Sequence, residues 1–462
     1  MTLPAAEIFK AYDIRGIVDK TLTVDAVRAI GHALGSEAVT RKQKAIAVGR
    51  DGRLSGPDLA AALAEGITAA GVDVIDIGCV PTPLSYFAAY ELGTNSCVSV
   101  TGSHNPPDYN GLKMVLGGET LYGDMIQSLR KRIQSGFLIH GHGKVTKADV
   151  RKAYIDRIVG DVKLSRKMKI VLDAGNGVAG GIAPELFKKL GCEVIELFCE
   201  VDGSFPNHHP DPSKPENLED LIRTLKETDA ELGLAFDGDG DRLGVVTKDG
   251  EIIYADRQLM LFAADILTRN PGADIIYDVK CSRLVGESIK YQKGKPLMWK
   301  TGHALVKAKL KETGAPLAGE MSGHMFFKER WYGFDDGLYA GARLLEIVSR
   351  WKDANWPLKN LPQSTSTPEL NVKMQEGEPH KLIEIVQQKA KSLFPDAKEL
   401  ITIDGVRAEF ADGFGLARAS NTTPVIVLRF EADNPAALAR IQSEFKHALE
   451  QCWPGLLIHY EE

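Results

Sequence analysis

Three short apolar runs in this sequence each stop abruptly at a polar loop that is rich in glycine and in charged or hydroxyl residues. The three segments are VSVTGSH at 98–104, LGLAFDGDGDR at 232–242 and APLAGEMSGH at 315–324. Apolar strands alternate with helical patterns around them, which predicts a parallel or mixed sheet covered by helices. Ligands of open α/β sheets bind beyond the carboxyl ends of the strands. We therefore expect the three loops to converge on one cleft.

The surrounding pattern repeats along the chain. KKLGCEVIELFCEVDG at 188–203 and, more weakly, YQKGKPLMWKTGH at 291–303 each contain a helix end, a glycine, a strand and a polar loop. Such repetition indicates related units. After WPLKNLPQSTSTPEL at 356–370 the pattern changes to helix, strands and helix, which predicts a linker and then a smaller domain.

The fold class expected from these patterns is α/β, with three related α/β/α domains of mixed sheets and a smaller C-terminal α+β domain around a central cleft. A chain of 462 residues is long enough for four domains. We expect the first domain at 1–149 with the serine loop and the second at 150–251 with the carboxylate loop. The third domain is expected at 252–364 with the third loop, and the last domain at 365–462.

Composition limits the partners and the location. The formal charge is −6 with both signs well mixed, which argues against nucleic acid as the main partner. No window approaches eighteen uninterrupted apolar residues, and the amino terminus does not resemble a secretory signal. The six cysteines form no C-x-x-C pair, which favours reduced thiols over disulfides or a zinc site. We expect a cytoplasmic monomer that acts on small molecules, without a membrane partner.

The strongest chemical signal is the D-G-D-G-D segment, which places Asp237, Asp239 and Asp241 within five residues. Three crowded carboxylates repel one another unless a cation lies among them, so a divalent metal is indicated. An EF-hand is excluded because its sixth and twelfth positions are here Arg242 and Lys248. A solvated acidic turn remains the alternative. Arg242 beside the carboxylates suits a phosphate that approaches the metal.

Ser103 is the candidate carrier of a phosphoryl group, because a nearby cation would neutralise the charge of a phosphoserine. The G-x-S-x-G turn of a serine hydrolase is absent, and Asn105 and Pro106 follow where its helix would begin. Taken alone, the segment also fits a turn in which Ser103 and Asn105 only satisfy backbone amides. The metal loop favours the phosphoserine.

Four segments in a fixed order resemble the active-site loops of the α-D-phosphohexomutases. They are TGSHNP at 101–106, DGDGDR at 237–242, GEMSGH at 319–324 and RASNTTP at 418–424. The resemblance runs from AYDIRG at 11–16 to the last domain. Met321 is similar to the bacterial phosphomannomutase/phosphoglucomutase branch, whereas phosphoglucosamine mutases carry glutamine in that position.

The resemblance implies reversible phosphoryl transfer between C1 and C6 of glucose and mannose phosphates. Phospho-Ser103 would give its phosphoryl group to the sugar, and the resulting hexose 1,6-bisphosphate would return the other one. Mg²⁺ is the implied cofactor, and glucose 1,6-bisphosphate is the implied activator. The implied metal ligands are Ser103, Asp237, Asp239 and Asp241.

The resemblance also implies roles for individual residues. The catalytic candidates are Ser103, His104, Lys113, Arg15, Arg242, His303 and His324. The sequence does not rank His104, Lys113, His303 and His324 as the general acid or base. The expected substrate contacts are Tyr12, Arg15, Lys280, Gly302, His303, Glu320, Met321, Ser322, Gly323, His324, Arg418, Ala419, Ser420, Asn421 and Thr422.

Sugar and phosphate are expected to bind at separate loops. Glu320 and Ser322 would bind the 3- and 4-hydroxyls without contacting the hydroxyl at carbon 2, so that glucose and mannose are both accepted. Arg418 and the donors that follow it would clamp the phosphate that is not transferred. Closure of this clamp over the substrate predicts a hinge at 364–368 and would exclude water.

Three alternatives remain open from the sequence. The strand and G-x-G-x-x-G at 169–181 is compatible with a dinucleotide site, but a single fingerprint is weak and the resemblance places this loop away from the active site. A phosphoglucosamine mutase differs in its preferred sugar. A sugar-phosphate-binding protein without catalysis would keep only the clamp.

Overall fold

Four β-sheets, each covered by helices, divide the chain into four domains. They are seen in a computed structural model that describes residues 3–460. No helix among these residues is long and apolar enough to cross a membrane.

The first domain holds a seven-stranded mixed sheet in the order β1-β5-β4-β2-β3-β7, with β6 beside β5. Its elements are β1 (Ile14–Ile17), α1 (Val24–Thr40), β2 (Ala45–Arg50), α2 (Gly56–Ala69), β3 (Asp73–Cys79), α3 (Thr82–Glu91), β4 (Cys97–Val100), β5 (Tyr109–Leu116), β6 (Glu119–Thr120), α4 (Asp124–Ser135) and β7 (Val145–Lys147). Helices α1 and α2 pack closely because Gly31 and Gly66 face each other. A Cβ on Gly66 would lie 2.1 Å from the carbonyl oxygen of Arg28.

The second domain holds a five-stranded sheet in the order β12-β11-β10-β8-β9. Its elements are α5 (Arg151–Asp161), β8 (Met168–Asp173), α6 (Ala183–Lys189), β9 (Cys192–Leu197), α7 (Glu219–Glu227), β10 (Leu232–Phe236), β11 (Leu243–Thr247) and β12 (Ile252–Ile253). All residues of β10 and β11 are buried. The carboxylate loop between them therefore rests on a rigid support.

The third domain holds a four-stranded sheet in the order β14-β13-β15-β16. Its elements are α8 (Ala255–Arg269), β13 (Asp274–Asp278), α9 (Arg283–Tyr291), β14 (Lys295–Trp299), α10 (His303–Thr313), β15 (Leu317–Gly319), β16 (Met325–Phe327), α11 (Gly337–Val348) and α12 (Trp356–Lys359). One continuous apolar cluster joins this domain to the second and to one face of the first, including Leu84 and Phe87 of α3. The three domains therefore share a core.

The last domain holds an antiparallel sheet in the order β17-β22-β21-β20-β19, with β18 also on β22. Its elements are β17 (Thr365–Ser366), β18 (Leu370–Lys373), α13 (Glu378–Leu393), β19 (Glu399–Ile401), β20 (Val406–Glu409), β21 (Gly413–Ala419), β22 (Val425–Ala432) and α14 (Pro435–Cys452). Helix α14 begins with Pro435 after Asn434, whose side chain accepts a hydrogen bond from the Ala437 amide. A separate apolar cluster fills this domain.

The segment expected to be a linker is partly ordered. It contains the short helix α12 and the strand β17, whose Thr365 and Ser366 pair with Ala432 and Glu431. Paired strand residues move with their sheet, so most of the 364–368 segment belongs to the last domain. A pivot for that domain would therefore lie before Thr365.

Candidate active site

The three polar loops occupy equivalent positions in three equivalent sheets. In each sheet a central strand is flanked by two parallel strands, and one of these flanking strands pairs with an antiparallel strand. The loops join these last two strands, which are β4 to β5, β10 to β11 and β15 to β16. The repetition expected from the sequence is therefore present in the topology, and it places each loop at the carboxyl end of a parallel strand.

Ser103 lies in the first loop and is only 1% exposed. Its Oγ lies 3.2 Å from Nδ1 of His104 and 3.4 Å from Oδ2 of Asp237 in the second domain. The backbone of Ser103 has a φ of 52°, in the left-handed region that side-chain-bearing residues adopt rarely. A hydroxyl group is thus held against the carboxylate loop of a neighbouring domain.

The three carboxylates of the second loop are fully buried, and each offers an oxygen within 4.8 Å of the others. Lys113 from β5 enters this group. Its Nζ lies 2.8 Å from Oδ2 of Asp239 and 2.6 Å from Oδ2 of Asp241. Oδ1 of Asp239 has no hydrogen-bond partner among the described residues, and Oδ1 of Asp241 faces only the ring of His324, 3.3 Å away. Buried carboxylate oxygens are suitable ligands for a hard divalent cation, so the cluster fits a metal site.

The charges in this group set different protonation tendencies. Burial, together with the charges of Asp241 and Asp239, raises the pKa of Asp237 well above its ordinary value. Burial alone would also raise the pKa of Asp241, but the charges of Lys113 and His324 hold it well below the ordinary range. Burial opposes the charge of Lys113, yet the adjacent Asp239 and Asp241 raise its pKa. Lys113 is therefore a cation at neutral pH.

The three histidines near the serine differ in charge. Burial and the cations Arg242 and Arg15 lower the pKa of His104 well below the ordinary value. Burial followed by the charge of Lys307 does the same for His303. Both rings are therefore neutral at pH 7.

The pKa of His324 is shifted in the opposite direction, above its ordinary value. Burial would lower its pKa, but Asp241 and Glu320 on either side of the ring raise it to about 9. Its Nε2 lies 3.3 Å from Asp241, and its Nδ1 lies 3.1 Å from Glu320. His324 is therefore an imidazolium, which extends from the third loop to Asp241 of the carboxylate loop.

The third loop is fixed from both sides. Oε1 of Glu320 accepts a hydrogen bond of 2.6 Å from the Gly302 amide, and the hydroxyl of Ser322 lies 2.8 Å from Nδ1 of His324. The amide of Met321 donates to Asp278 over 3.3 Å. Gly323 is buried at the tight turn of this loop, with a φ of 104°. The predicted sugar-binding side chains are thus pre-oriented before any sugar binds.

The fourth loop, 420–424, joins β21 to β22 in the last domain. Arg418, at the end of β21, is buried, and its Nε lies 3.2 Å from Oδ2 of Asp404. The Asn421 amide group donates to the hydroxyl of Tyr12, which itself donates to the carbonyl of Thr301. Tyr12 therefore connects the first, third and last domains.

The remaining predicted residues also lie near these loops. Arg15 donates to Oδ1 of Asn105 on the serine loop, and the Arg242 guanidinium lies 3.8 Å from Asp237. Lys280 is buried, with its Nζ 3.0 Å from Oε2 of Glu369. Thr422 is exposed, and its hydroxyl lies 3.3 Å from the hydroxyl of Ser420 in the same loop.

His303 lies between His324 and Tyr12. The ring of His303 lies 6.1 Å from that of His324 and 6.4 Å from that of Tyr12, measured between centroids. Both ring nitrogens of His303 lack a hydrogen-bond partner among the described residues, although the ring is buried. The side chain is therefore free to bond with a molecule in the cleft.

Comparison with known proteins identifies a family that has this arrangement of domains. Four models of phosphoglucomutase/phosphomannomutase match the chain: alpha/beta/alpha domain I at 6–138, domain II at 152–250, domain III at 254–364 and the C-terminal domain at 369–448. The chain belongs to the phosphoglucomutase/phosphomannomutase family. Members of this family interconvert phosphohexoses, and the predicted fold class and enzyme class are confirmed.

Individual relatives match over nearly their full length. A phosphoglucomutase of Neisseria gonorrhoeae is 60% identical over 455 residues, covering 97% of this chain and 98% of that one. A phosphomannomutase/phosphoglucomutase of Pseudomonas aeruginosa is 55% identical over 450 residues, covering 97% and 96%. A crystal structure of a family protein from Burkholderia thailandensis has a TM-score of 0.93 with 61% identity, covering 98% of each chain.

The glycine-rich segment at 169–181 has a different place from the one expected. The amide of Val178 donates to the carbonyl of Gly238, and a Cβ on Gly177 would lie 3.1 Å from the Gly238 Cα. The segment therefore packs directly behind the carboxylate loop instead of lying away from the active site. Its small residues permit this close approach.

Asp335 is a buried site residue that sequence reasoning missed. Together with Asp241 and His324 it forms a second group of closely spaced ligand atoms, and its Oδ1 lies 3.0 Å from Nζ of Lys307. A signal exists in GFDDG at 333–337. Asp336 alone caps α11, accepting from the Tyr339 amide. The additional aspartate before it is therefore not needed for the helix.

Proposed function

We propose that this protein is a phosphomannomutase/phosphoglucomutase that moves a phosphoryl group reversibly between C1 and C6 of mannose and glucose phosphates. The observation that carries the proposal is the position of Ser103 Oγ, 3.4 Å from Asp237 in a cluster of three buried carboxylates. The products would supply polysaccharide precursors.

Asp237, Asp239 and Asp241, together with a phosphate oxygen on Ser103, would hold Mg²⁺. The support is the all-oxygen donor set and the unpartnered Oδ1 of Asp239. When bound, the ion supplies positive charge that stabilises a transferring phosphoryl group. Lys113 contributes a fixed positive charge at the same place, which orients Asp239 and Asp241.

The reaction needs proton transfer at the sugar hydroxyl and at the serine. A sugar oxygen bonds to phosphorus while the bond from phosphorus to Ser103 Oγ breaks. A ring nitrogen of neutral His303 is the proposed acceptor of the hydroxyl proton, since both its nitrogens are unpartnered in the described chain. His104 Nδ1, 3.2 Å from Ser103 Oγ, is placed to hold the serine proton in the unphosphorylated enzyme. The proton that Ser103 Oγ takes up when its bond to phosphorus breaks would come through His104 Nδ1, and the protonated His324 would donate a hydrogen bond to the phosphoryl group as it moves.

Glu320 and Ser322 would bind the 3- and 4-hydroxyls of the sugar. Their orientation by Gly302 and His324 supports this role, since buried polar groups that need both hydroxyls reject sugars without them. Glucose and mannose share these hydroxyls, so both are expected substrates. The intermediate, glucose 1,6-bisphosphate, would also prime an unphosphorylated enzyme.

Arg418, Ser420, Asn421 and Thr422 would bind the phosphate that is not transferred, together with Lys280. Arg15 and Arg242 would face the phosphate on Ser103. In the absence of substrate, carboxylates pair with two of these cations: Asp404 with Arg418 and Glu369 with Lys280. A substrate phosphate would compete with these carboxylates as the last domain closes.

The last part of the proposal concerns the oligomeric state, the location and the domain boundaries of the protein. The protein would act as a cytoplasmic monomer without nucleic acid or membrane partners, and its domains would meet at 149/150, 251/252 and 364/365. Size-exclusion chromatography with light scattering tests the first point, and limited proteolysis tests the boundaries.

A coupled mutase assay primed with glucose 1,6-bisphosphate tests the function. Ser103→Ala should abolish turnover and the phosphate seen by intact mass, whereas the exposed Ser128→Ala in α4 should keep both. Rates with glucose, mannose and glucosamine 1-phosphates measure the sugar preference. A protein that is never phosphorylated and never turns over would be a binding protein, and preference for glucosamine 1-phosphate would indicate a phosphoglucosamine mutase.

A further inference from the structure

Arg53 is a buried cation beneath the serine loop to which the proposed reaction gives no role. Its side chain is only 1% exposed, and it follows β2 in the first domain. The two terminal nitrogens donate to four backbone carbonyls, three in the loop and one at the start of β5, at distances of 2.5 to 3.0 Å. These carbonyls belong to Ser103, Asn105, Pro106 and Tyr109. One guanidinium group therefore holds backbone carbonyls along most of the loop in place.

Asp51 extends this contact to the start of the loop. Its Oδ2 accepts from Arg53 Nε over 3.2 Å, from the Thr101 hydroxyl over 2.7 Å and from the Gly102 amide over 3.2 Å. The Thr101 hydroxyl in turn accepts from the Ser103 amide over 2.8 Å. Both backbone polar groups of Ser103 are thus fixed by one buried ion pair.

The loop is shaped to accept the guanidinium group. A Cβ on Gly102 would lie 2.4 Å from Arg53 Cζ, so only glycine leaves room there. Phe205 of the second domain covers the other side, with its ring centroid 5.3 Å from Arg53 Cζ. The cation is consequently sealed between the serine loop and the domain that carries the carboxylates.

Ser103 needs such support because its backbone lies in the left-handed region, with a φ of 52°. A residue with a side chain stays in this region only where surrounding contacts hold it. In this conformation the hydroxyl lies 3.4 Å from Asp237. Loss of the supporting bonds would let the loop relax and would move Oγ away from the carboxylates.

We propose that Arg53 is a positioning residue for phosphoryl transfer, which holds Ser103 in line with the carboxylate loop through the loop carbonyls and Asp51. This inference rests on the proposed function. Arginine suits the task because it presents five N–H donors in a fixed fork, whereas lysine has three donors on a flexible stem. Lysine at this position would keep the charge and lose part of the support.

The test compares Arg53→Lys with a matched control, Arg343→Lys. Arg343 is also fully buried, and it bonds to the carbonyl and carboxylate of Glu329 and to the hydroxyl of Tyr339, outside the cleft. The measurements are kcat and KM for glucose 1-phosphate, the thermal midpoint, and the single-turnover rate of transfer from phospho-Ser103. Rates are normalised to the fraction of protein that carries phosphate by intact mass.

We expect Arg53→Lys to lower kcat and the single-turnover rate by about a hundredfold, because a displacement of about 1 Å at a reacting group has that effect. KM should change by less than about threefold, since the sugar and clamp loops are untouched. Arg343→Lys should destabilise the protein while it keeps the normalised rate. A purely structural role for Arg53 would give both variants the same normalised rate, and that result would overturn the proposal.

A second variant decides the matter if Arg53→Lys does not fold. Thr101→Val keeps the shape of the side chain and removes the hydroxyl that links Asp51 to the Ser103 amide. We expect a fall of about tenfold in the single-turnover rate, equivalent to one lost positioning bond. An unchanged rate would overturn the proposal. The wild-type assay tests the mutase function separately, so failure of that function is distinguishable from failure of this inference.

Discussion

Gly238 lies between the first two aspartates of the carboxylate loop, where it contacts the backbone of the serine loop. A Cβ built on Gly238 would lie 2.3 Å from the carbonyl oxygen of Ser103, whereas ordinary contact begins at 3.4 Å. In Gly238→Ala the two loops must therefore separate by about 1.1 Å. Gly238 does not lie in the left-handed region, so alanine is not excluded by its backbone conformation.

A separation of about 1 Å between reacting groups lowers a rate by about a hundredfold, which is ~2.7 kcal/mol in activation free energy. We expect this loss in kcat for Gly238→Ala, measured with glucose 1-phosphate in an assay coupled to oxidation of glucose 6-phosphate. KM should remain close to the wild-type value, because the sugar and clamp loops keep their geometry.

Gly160→Ala is the matched control. Gly160 lies in α5, and a Cβ there would meet no atom within 4 Å. Alanine should stabilise that helix by up to about 1 kcal/mol without affecting turnover. A kcat for Gly238→Ala within about threefold of the wild type would show that close approach of the two loops does not control transfer.

Three further predictions concern charge, metal and the clamp. The folded-state pKa of His324, about 9 against an ordinary 6.5, contributes stability that is complete below pH 6.5 and lost as pH rises through 9. The free energy of unfolding of the wild type, measured with urea in EDTA, should therefore fall by up to ~3 kcal/mol between pH 6.5 and pH 9, and that of His324→Asn should fall less. Equal losses in the two proteins would contradict the raised pKa of His324. Chelation should stop turnover, and Mg²⁺ should raise the thermal midpoint of the wild type more than that of Asp237→Asn, because binding to the folded state stabilises it; no difference would place the ion elsewhere. Tyr12→Phe should raise KM about fivefold with little change in kcat, since its bond with Asn421 of the fourth loop, worth about 1 kcal/mol, is lost together with its bond to Thr301; an unchanged KM would show that Tyr12 does not support the clamp.

The sequence was sufficient to predict the three loop-bearing sheets and the smaller last domain, because these follow from local patterns of apolar and turn residues. The carboxylate loop was equally visible, since three aspartates in five residues are unusual without a cation. These features depend on near neighbours in the chain. Tertiary contacts were not needed to find them.

Arg53 and Asp335 were missed for a physical reason. The partners of Arg53 are backbone carbonyls, which every residue possesses, so no pattern of side chains marks them. The role of Asp335 depends on Asp241 and His324, which are distant in sequence. The place of the glycine-rich segment at 169–181 was also misjudged, because its contact with Gly238 arises only when the sheet forms.

Protonation could not be predicted because it depends on contacts between domains. The pKa of Asp241 is lowered by Lys113 of the first domain and His324 of the third, whereas Asp241 itself belongs to the second. Each of these ion pairs is buried, and a buried charge without its partner is strongly disfavoured. An isolated second domain would lack Lys113 and His324 together with the burial that the neighbouring domains provide, so its carboxylates would not be held in place, and it should bind Mg²⁺ more weakly than the whole chain. The proposed metal site is in this sense a property of the assembled cleft, which couples assembly of the first three domains to the proposed chemistry at Ser103.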